Sequence, residues 1–436
     1  MTTSMDFQQQ ALNLAAQQQS PAWLADVRAA GATAWQNAKW PDRRTEHWKY
    51  TPLQALQADG FAQWAQGGDW QGDVEFLAVD AHRLVFVNGQ LNEALSTALP
   101  ANVVRFDQAS SAQQALIAQH LGSAVDLQRH LFAALSNACA ADGWLYHLAP
   151  DVQADKPLYL VHLSTPEAQP AMAQQRLLVV LERHAKAEVI EHYVSTTEVQ
   201  NGFVNSLTEL VVGDGAQLQH YRLNLEEENL LHVGGVHADL YRSAQLNAFA
   251  LGQGSRLKRV DYHVRHKGEG AHLGLNGVYL PRNRQRIDYH TTVEHCVPHC
   301  TTDENFRGII ADSAKAVFNG RIHIHKDAQK TLAELSNKNL LTSNQAEIDT
   351  KPELEIYADD VKCAHGATVS QLNETAMYYL QSRGVSKAEA EVMLSFGFIN
   401  ELLQQVEQEA IQLYLRPRLA ALFGSDDELT RHIVHD

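Results

Sequence analysis

Cysteine is scarce in this chain: Cys139, Cys296, Cys300 and Cys363 are the only four in 436 residues. Four scattered thiols in so long a chain do not make a disulfide framework, and they suit a reducing compartment, so the cytoplasm is the expected location. No apolar run reaches the length of a membrane span. The Gln-rich stretch from Met1 to Gln19 lacks the charged segment and apolar core of a secretory leader. Cations are in deficit as well, 35 Lys+Arg against 51 Asp+Glu for a net charge of −16. That balance argues against nucleic acid or an anionic membrane as the main partner. Catalytic signatures are missing too. There is no G-x-x-x-x-G-K-[ST] phosphate loop and no G-x-S-x-G nucleophile elbow. Gly252-Gln253-Gly254 lacks the third glycine and the following helix of a dinucleotide site.

What is there is ample for folding. A hydrophobic content of 45% in a chain this long supports two or three domains. Three regions separate by pattern. Residues 1–145 are Ala/Gln-rich and mainly helical, with helical apolar spacing from Phe7 to Leu14 and from Trp23 to Trp40. A short strand, Leu84 to Val87, runs into an Asn88-Gly89 hairpin turn. Residues 146–369 change texture, with short alternating runs separated by Gly, Asn, Asp and Ser and no long helical pattern. Several runs open alike: Ala187-Glu188-Val189, Ala216-Gln217-Leu218, Ala244-Gln245-Leu246, Ala271-His272-Leu273 and Ala346-Glu347-Ile348. The anchors Val189, Leu218, Leu246 and Leu273 lie 29, 28 and 27 residues apart, with Leu257 and Ile287 near the half-steps. A drifting period of this size is produced by stacked coils, each burying its apolar face against its neighbours. A two-sheet sandwich is the alternative. The fold class is therefore mainly β, a parallel β-helix core between two flanking domains. Residues 370–436 are helical again. Leu372, Ala376, Tyr379 and Leu380 lie on one stripe before Arg383-Gly384, and Ser386 with Glu389 reads as a capping box. A further helical segment ends near Pro417.

Four constellations carry possible chemistry. His295-Cys296-Val297-Pro298-His299-Cys300 has metal-site density but loose spacing and no second Cys/His pair at a zinc-finger distance, so a turn with incidental thiols explains it as well. His323 and His325 share one strand face. A cupin metal site uses His-x-His on a strand, but the run Lys326 to Leu332 does not continue that motif, which leaves a solvated strand. The cations Arg256, Lys258, Arg259, Arg265, Lys267, Arg282, Arg284 and Arg286 read as a solvated face or a subunit contact. The fourth is Cys363-Ala364-His365, at the exit of the strand region. Residues i and i+2 of a strand share a face, so the thiol and imidazole point together. Both are iron ligands, yet two ligands cannot close a site. Either a second chain completes it, or Cys363 is simply buried and His365 bonded locally.

The decapeptide Asp359 to Thr368, the segment Arg44-Thr45-Glu46-His47-Trp48-Lys49-Tyr50-Thr51-Pro52-Leu53 and the stretch Arg383 to Ile399 together resemble the SufB/SufD family of iron–sulfur cluster assembly scaffolds. SufB-like chains tend to be longer and often carry a Cys-rich N-terminal motif; the single Cys139 before residue 296 aligns this chain with the SufD branch. The resemblance implies a right-handed parallel β-helix flanked by helical domains. It implies a scaffold without ATPase activity, paired with a SufB-like subunit and docking a SufC-like ATPase on its C-terminal helices, with the strand of His323 and His325 as part of a subunit-contact face; homodimer and heterocomplex are both left open for the isolated chain. Cys363 and His365 match the family position facing a cluster-assembly site at the subunit junction. The cargo there would be a transient iron–sulfur cluster, with iron admitted through this subunit and reduced flavin as an electron source for the complex. No cofactor is expected in the isolated chain, and the family gives His295, Cys296, His299 and Cys300 no role. A cupin-like metalloenzyme and a carbohydrate-active β-helix enzyme are the rival readings.

Overall fold

The computed structural model describes residues 6–198 and 200–423; residues 1–5 and 424–436 of the expected terminal regions lie outside the described residues. Successive strands from Leu158–Ser164 to Lys362–Ser370 alternate between two sheets, and each from Ala171–Leu181 onward pairs in parallel with the strand two places before it. The result is a β-solenoid, mainly β, with ten strands in one sheet and nine in the other. The sheets reach upstream as well. Strand His82–Val87 pairs in parallel with Leu158–Ser164, and Trp144–Leu148 pairs in parallel with Ala171–Leu181. The expected hairpin is present: Val87 pairs with Gln90, and Asn88 and Gly89 both adopt positive φ, 50° and 86°.

Inward side chains of both sheets form one long core, from Leu84 and Trp144 to Ile324 and Leu335. Helices cover the outer faces. Phe7–Gln17, Ala25–Asn37 and Leu131–Ala138 pack Phe7, Trp35 and Phe132 on the outward row Met172, Phe203, Leu231 and Leu257 of the nine-stranded sheet. Lys387–Leu403 and Glu409–Phe423 pack Val392, Phe396, Ile399, Ile411 and Leu415 on Tyr221, Phe249 and Val278 of the ten-stranded sheet. The capping box forms as expected, with Ser386 N donating to Glu389 Oε2 at 2.9 Å and Glu389 N to Ser386 Oγ at 3.2 Å.

Register corrects the sequence reading in several places. Leu218, Leu246 and Leu273 do share an inward column, but its preceding member is Ala187, because Val189 pairs with His220. Val189 is nevertheless fully buried, since a slip of two residues preserves the face. Leu257 errs by one residue and so by a face. Lys258 is the partner of Ile287, while Leu257 points outward under the N-terminal helices. Ala346-Glu347-Ile348 belongs to the opposite sheet from the other openings. The last helix passes Pro417 and runs to Phe423, because Leu419 and Ala420 beyond the proline are buried against the core.

Candidate functional site

Among the described residues the solenoid ends on two uncovered strands, Glu347–Ile356 and Lys362–Ser370, which are the last members of their sheets. No residue of either is buried, and Ile356, Tyr357 and Val369 are exposed apolar side chains there. Cys363 pairs with Ala333 and His365 with Leu335, both buried in the core. The thiol and the imidazole therefore occupy adjacent inward positions of the final coil. Cys363 is half-buried against the core, and burial raises its thiol pKa. His365 is exposed and makes no side-chain hydrogen bond among the described residues, so the local-bond explanation does not apply to it. The same columns continue below in the solenoid: Leu273, Thr302, Ala333 and then Cys363; Leu275, Glu304, Leu335 and then His365. Inside the stack such positions are covered from both sides. Here one side is open.

The His295–Cys300 motif is divided by the pleat. His295 points inward and stacks on His266 with ring centroids 4.3 Å apart. The Thr302 hydroxyl bridges the two Nε2 atoms at 3.0 and 3.1 Å. Burial pushes the His295 imidazole down to about 3. Cys300 follows Ala271 in a column of small buried residues at the coil corner. Cys296 lies on the outside, beside Glu294 and His325. His323 and His325 face outward, as expected, with ring centroids 4.3 Å apart, and His323 Nδ1 lies 3.0 Å from Glu355 Oε2. The strands are parallel rather than the antiparallel strands of a cupin barrel, which removes the structural basis for that reading.

The cation stretch is divided: Arg256, Lys267 and Arg284 are exposed, whereas Lys258 and Arg259 are not on a solvated face. Lys258 is wholly buried in the lumen, 2.7 Å from Glu226 and donating to Asn224 O at 2.8 Å. Burial lowers its pKa against the opposing Glu226 charge. Deeper in the lumen Glu191 accepts from Thr208, His220, Arg222 and Tyr193. Burial works to raise the Glu191 carboxyl, but the Arg222 charge and the bonds from His220 and Tyr193 outweigh it and hold it well below the ordinary range. Sequence reasoning missed this network; its signal is charged residues at inward parity, legible only once the register is known. Arg259 is also buried. Its guanidinium lies 3.8 Å over the Trp48 ring and pairs with Asp261 and Asp288. Thr51 donates to Asp288, and Lys351 reaches Glu46 at 2.7 Å. Residues 46–51 are thus a strap across the outer face, with Trp48 buried and Tyr50 exposed, and the carboxylates beneath it are ion-paired rather than open to a sugar chain.

A two-sheet parallel solenoid with helices on both faces places this chain among the solenoid proteins, whose stacked coils present extended surfaces. Comparison with known proteins gives the family. Residues 162–398 match the SUF system FeS cluster assembly, SufBD core domain, and residues 4–160 match the SufBD protein N-terminal region. The chain is 32% identical over 384 residues to iron-sulfur cluster assembly protein SufD of Escherichia coli, covering 87% of this chain and 88% of that protein. It is 30% identical over 407 residues to iron-sulfur cluster assembly SufBD family protein slr0076 of Synechocystis, 90% of each. SufD of Bacillus subtilis is 27% identical over 293 residues, 67% of this chain and 66% of that protein. The chain belongs to the SufB/SufD family of iron–sulfur cluster assembly proteins, and its similarity is to SufD-type members.

Proposed function

We propose that this chain is a non-ATPase scaffold subunit of an iron–sulfur cluster assembly complex, pairing end-on with a SufB-like solenoid and receiving a SufC-like ATPase on its C-terminal helices. The observation that carries this reading is the open final coil, with Cys363 and His365 side by side on its inward face. Its two edges differ. Glu347–Ile356 carries Glu347, Asp349, Lys351, Pro352, Glu353 and Glu355, the residues that protect an edge from pairing. Lys362–Ser370 has a single charge, Lys362, and no proline, so it offers its backbone to a partner strand. A second solenoid meeting this end would cover Val369 and enclose the thiol and imidazole, supplying the ligands that two residues cannot. The cluster is cargo at that junction, and iron is admitted beside His365. On the C-terminal side, Glu374–Ser382 buries none of its residues, and Tyr378 and Tyr379 are 73% and 57% exposed. That surface suits the ATPase.

The test is co-expression of the tagged chain with SufB-like and SufC-like proteins from the same cell. Recovery of both is expected, with the ATPase alone lost when residues 370–436 are deleted. His365→Ala should leave the complex intact and impair cluster assembly on it; a wild-type cluster yield from that variant sinks the proposed role of His365. A tagged chain that purifies without either partner overturns the scaffold reading.

A further inference from the structure

Glu294, Cys296 and His325 are separated by as many as 31 positions in the sequence, yet the coil register stacks them. Glu294 is the last outward residue of strand Arg286–His295, and Cys296 begins the corner that follows. His325 leaves the next strand of the same sheet one coil later, its N–H donating to His295 O at 3.0 Å, which sets it beside Cys296. One ligand atom from each of the three lies within 4.8 Å of the other two. Glu294 Oε2 is 3.1 Å from His325 Nε2, while Glu294 Oε1 is 2.8 Å from His263 Nε2. Ligand atoms around a tetrahedral divalent ion stand about 3.4 Å apart, so closing this set takes only small side-chain rotations.

We propose that Glu294, Cys296 and His325 form a binding site for a first-row divalent cation of the iron(II), cobalt(II) or zinc(II) class. A thiolate, an imidazole and a carboxylate together suit such borderline ions, whereas magnesium and calcium call for oxygen alone. His263, nine-tenths buried, fixes the carboxylate from behind, as outer partners do in metal sites. Of the neighbouring cations, Arg129 bonds only the Thr292 hydroxyl among the described residues, at 3.4 Å, and three others are ion-paired elsewhere. Arg265 and Lys267 both pair with Asp239, and Arg321 pairs with Glu355. His325 is 43% exposed at its side chain, so an ion can reach the site and open positions remain for water. The inner set His266, His295 and Cys300 lacks that access, being wholly buried with both rings already bonded to Thr302. A thiol ligates a metal ion only as the thiolate, so loading proceeds as Cys–SH + M²⁺ → Cys–S–M⁺ + H⁺, releasing one proton.

The site lies one coil inside the open end, on the outer face of the strand paired with Glu347–Ile356 and away from the inward Cys363 and His365, and it departs from the expectation of a metal-free isolated chain. The experiment is anaerobic titration of the metal-free full-length protein with cobalt(II). One equivalent is expected, with a thiolate-to-cobalt charge-transfer band and release of one proton. Cys296→Ser should abolish the band, and His325→Ala should weaken binding at least tenfold; both lie at the accessible surface, and unchanged thermal melts exclude misfolding. Cys300→Ser and Cys363→Ser should keep the band. Absence of a bound equivalent, survival of the band in Cys296→Ser, or its loss in Cys363→Ser instead overturns the assignment. Partner recovery in co-expression is read separately, so a failed titration with intact partner recovery removes this site and leaves the scaffold reading standing.

Discussion

Glu304 and His365 occupy the same inward column two coils apart, and they meet opposite fates. Glu304 is fully buried, bonded to Thr291 at 2.6 Å, with burial pushing its carboxyl up to about 7. His365 stands exposed on the last coil. Nothing in the backbone geometry distinguishes the two positions, since each is one step of the same parallel register. Coverage does. A polar group inside the stack must find its partner within the chain, because water cannot reach it. At the open end the same position leaves its polar group for a partner to use.

The widest separation between stack and end comes from breaking a buried pair. Lys258→Ala leaves Glu226 charged and without its ammonium in the lumen, and a loss of about 3–5 kcal/mol in urea unfolding is expected. A Lys258→Met, Glu226→Leu double variant should recover most of that loss; a double variant as unstable as the single one would show that the pair contributes through more than mutual charge. Next in size is Glu304→Gln. The folded-state pKa of Glu304 is raised, so its stabilising contribution is complete below the ordinary carboxyl range and is lost as pH rises through about 7. The amide has no proton to lose. Relative to wild type the variant should therefore gain up to about 3 kcal/mol between pH 5 and pH 8.5, and parallel unfolding curves for the two proteins across that range would refute the assignment. The smallest effect belongs to His365→Ala, within about 0.5 kcal/mol in thermal melts of the isolated chain. A larger loss would mean that the last coil is held by its own imidazole and is not poised for a partner.

Much of the architecture was legible because it rests on local rules. The capping box at Ser386 and Glu389, the Asn88-Gly89 turn and the common face of Cys363 and His365 each depend on residues a few positions apart. The coil period was legible to within a slip: Val189 was aligned two residues from its true column position, and the even offset kept it buried. Leu257 and Lys258 show where the pattern fails. A one-residue error reverses inside and outside, and a lysine at an inward position gives no sign that Glu226 and Asn224 await it across the lumen.

Alternation, turn chemistry and a repeat near 28 residues determined from sequence alone that this chain stacks coils and that a thiol and an imidazole leave the stack together. Only the tertiary structure decided which charges lie in the lumen, that the final coil is left uncovered, and that Glu294, Cys296 and His325 converge. The reason is physical. Face is set by neighbours in the chain, whereas coverage and convergence are set by register between coils about 30 residues apart, which depends on the length of every corner between them.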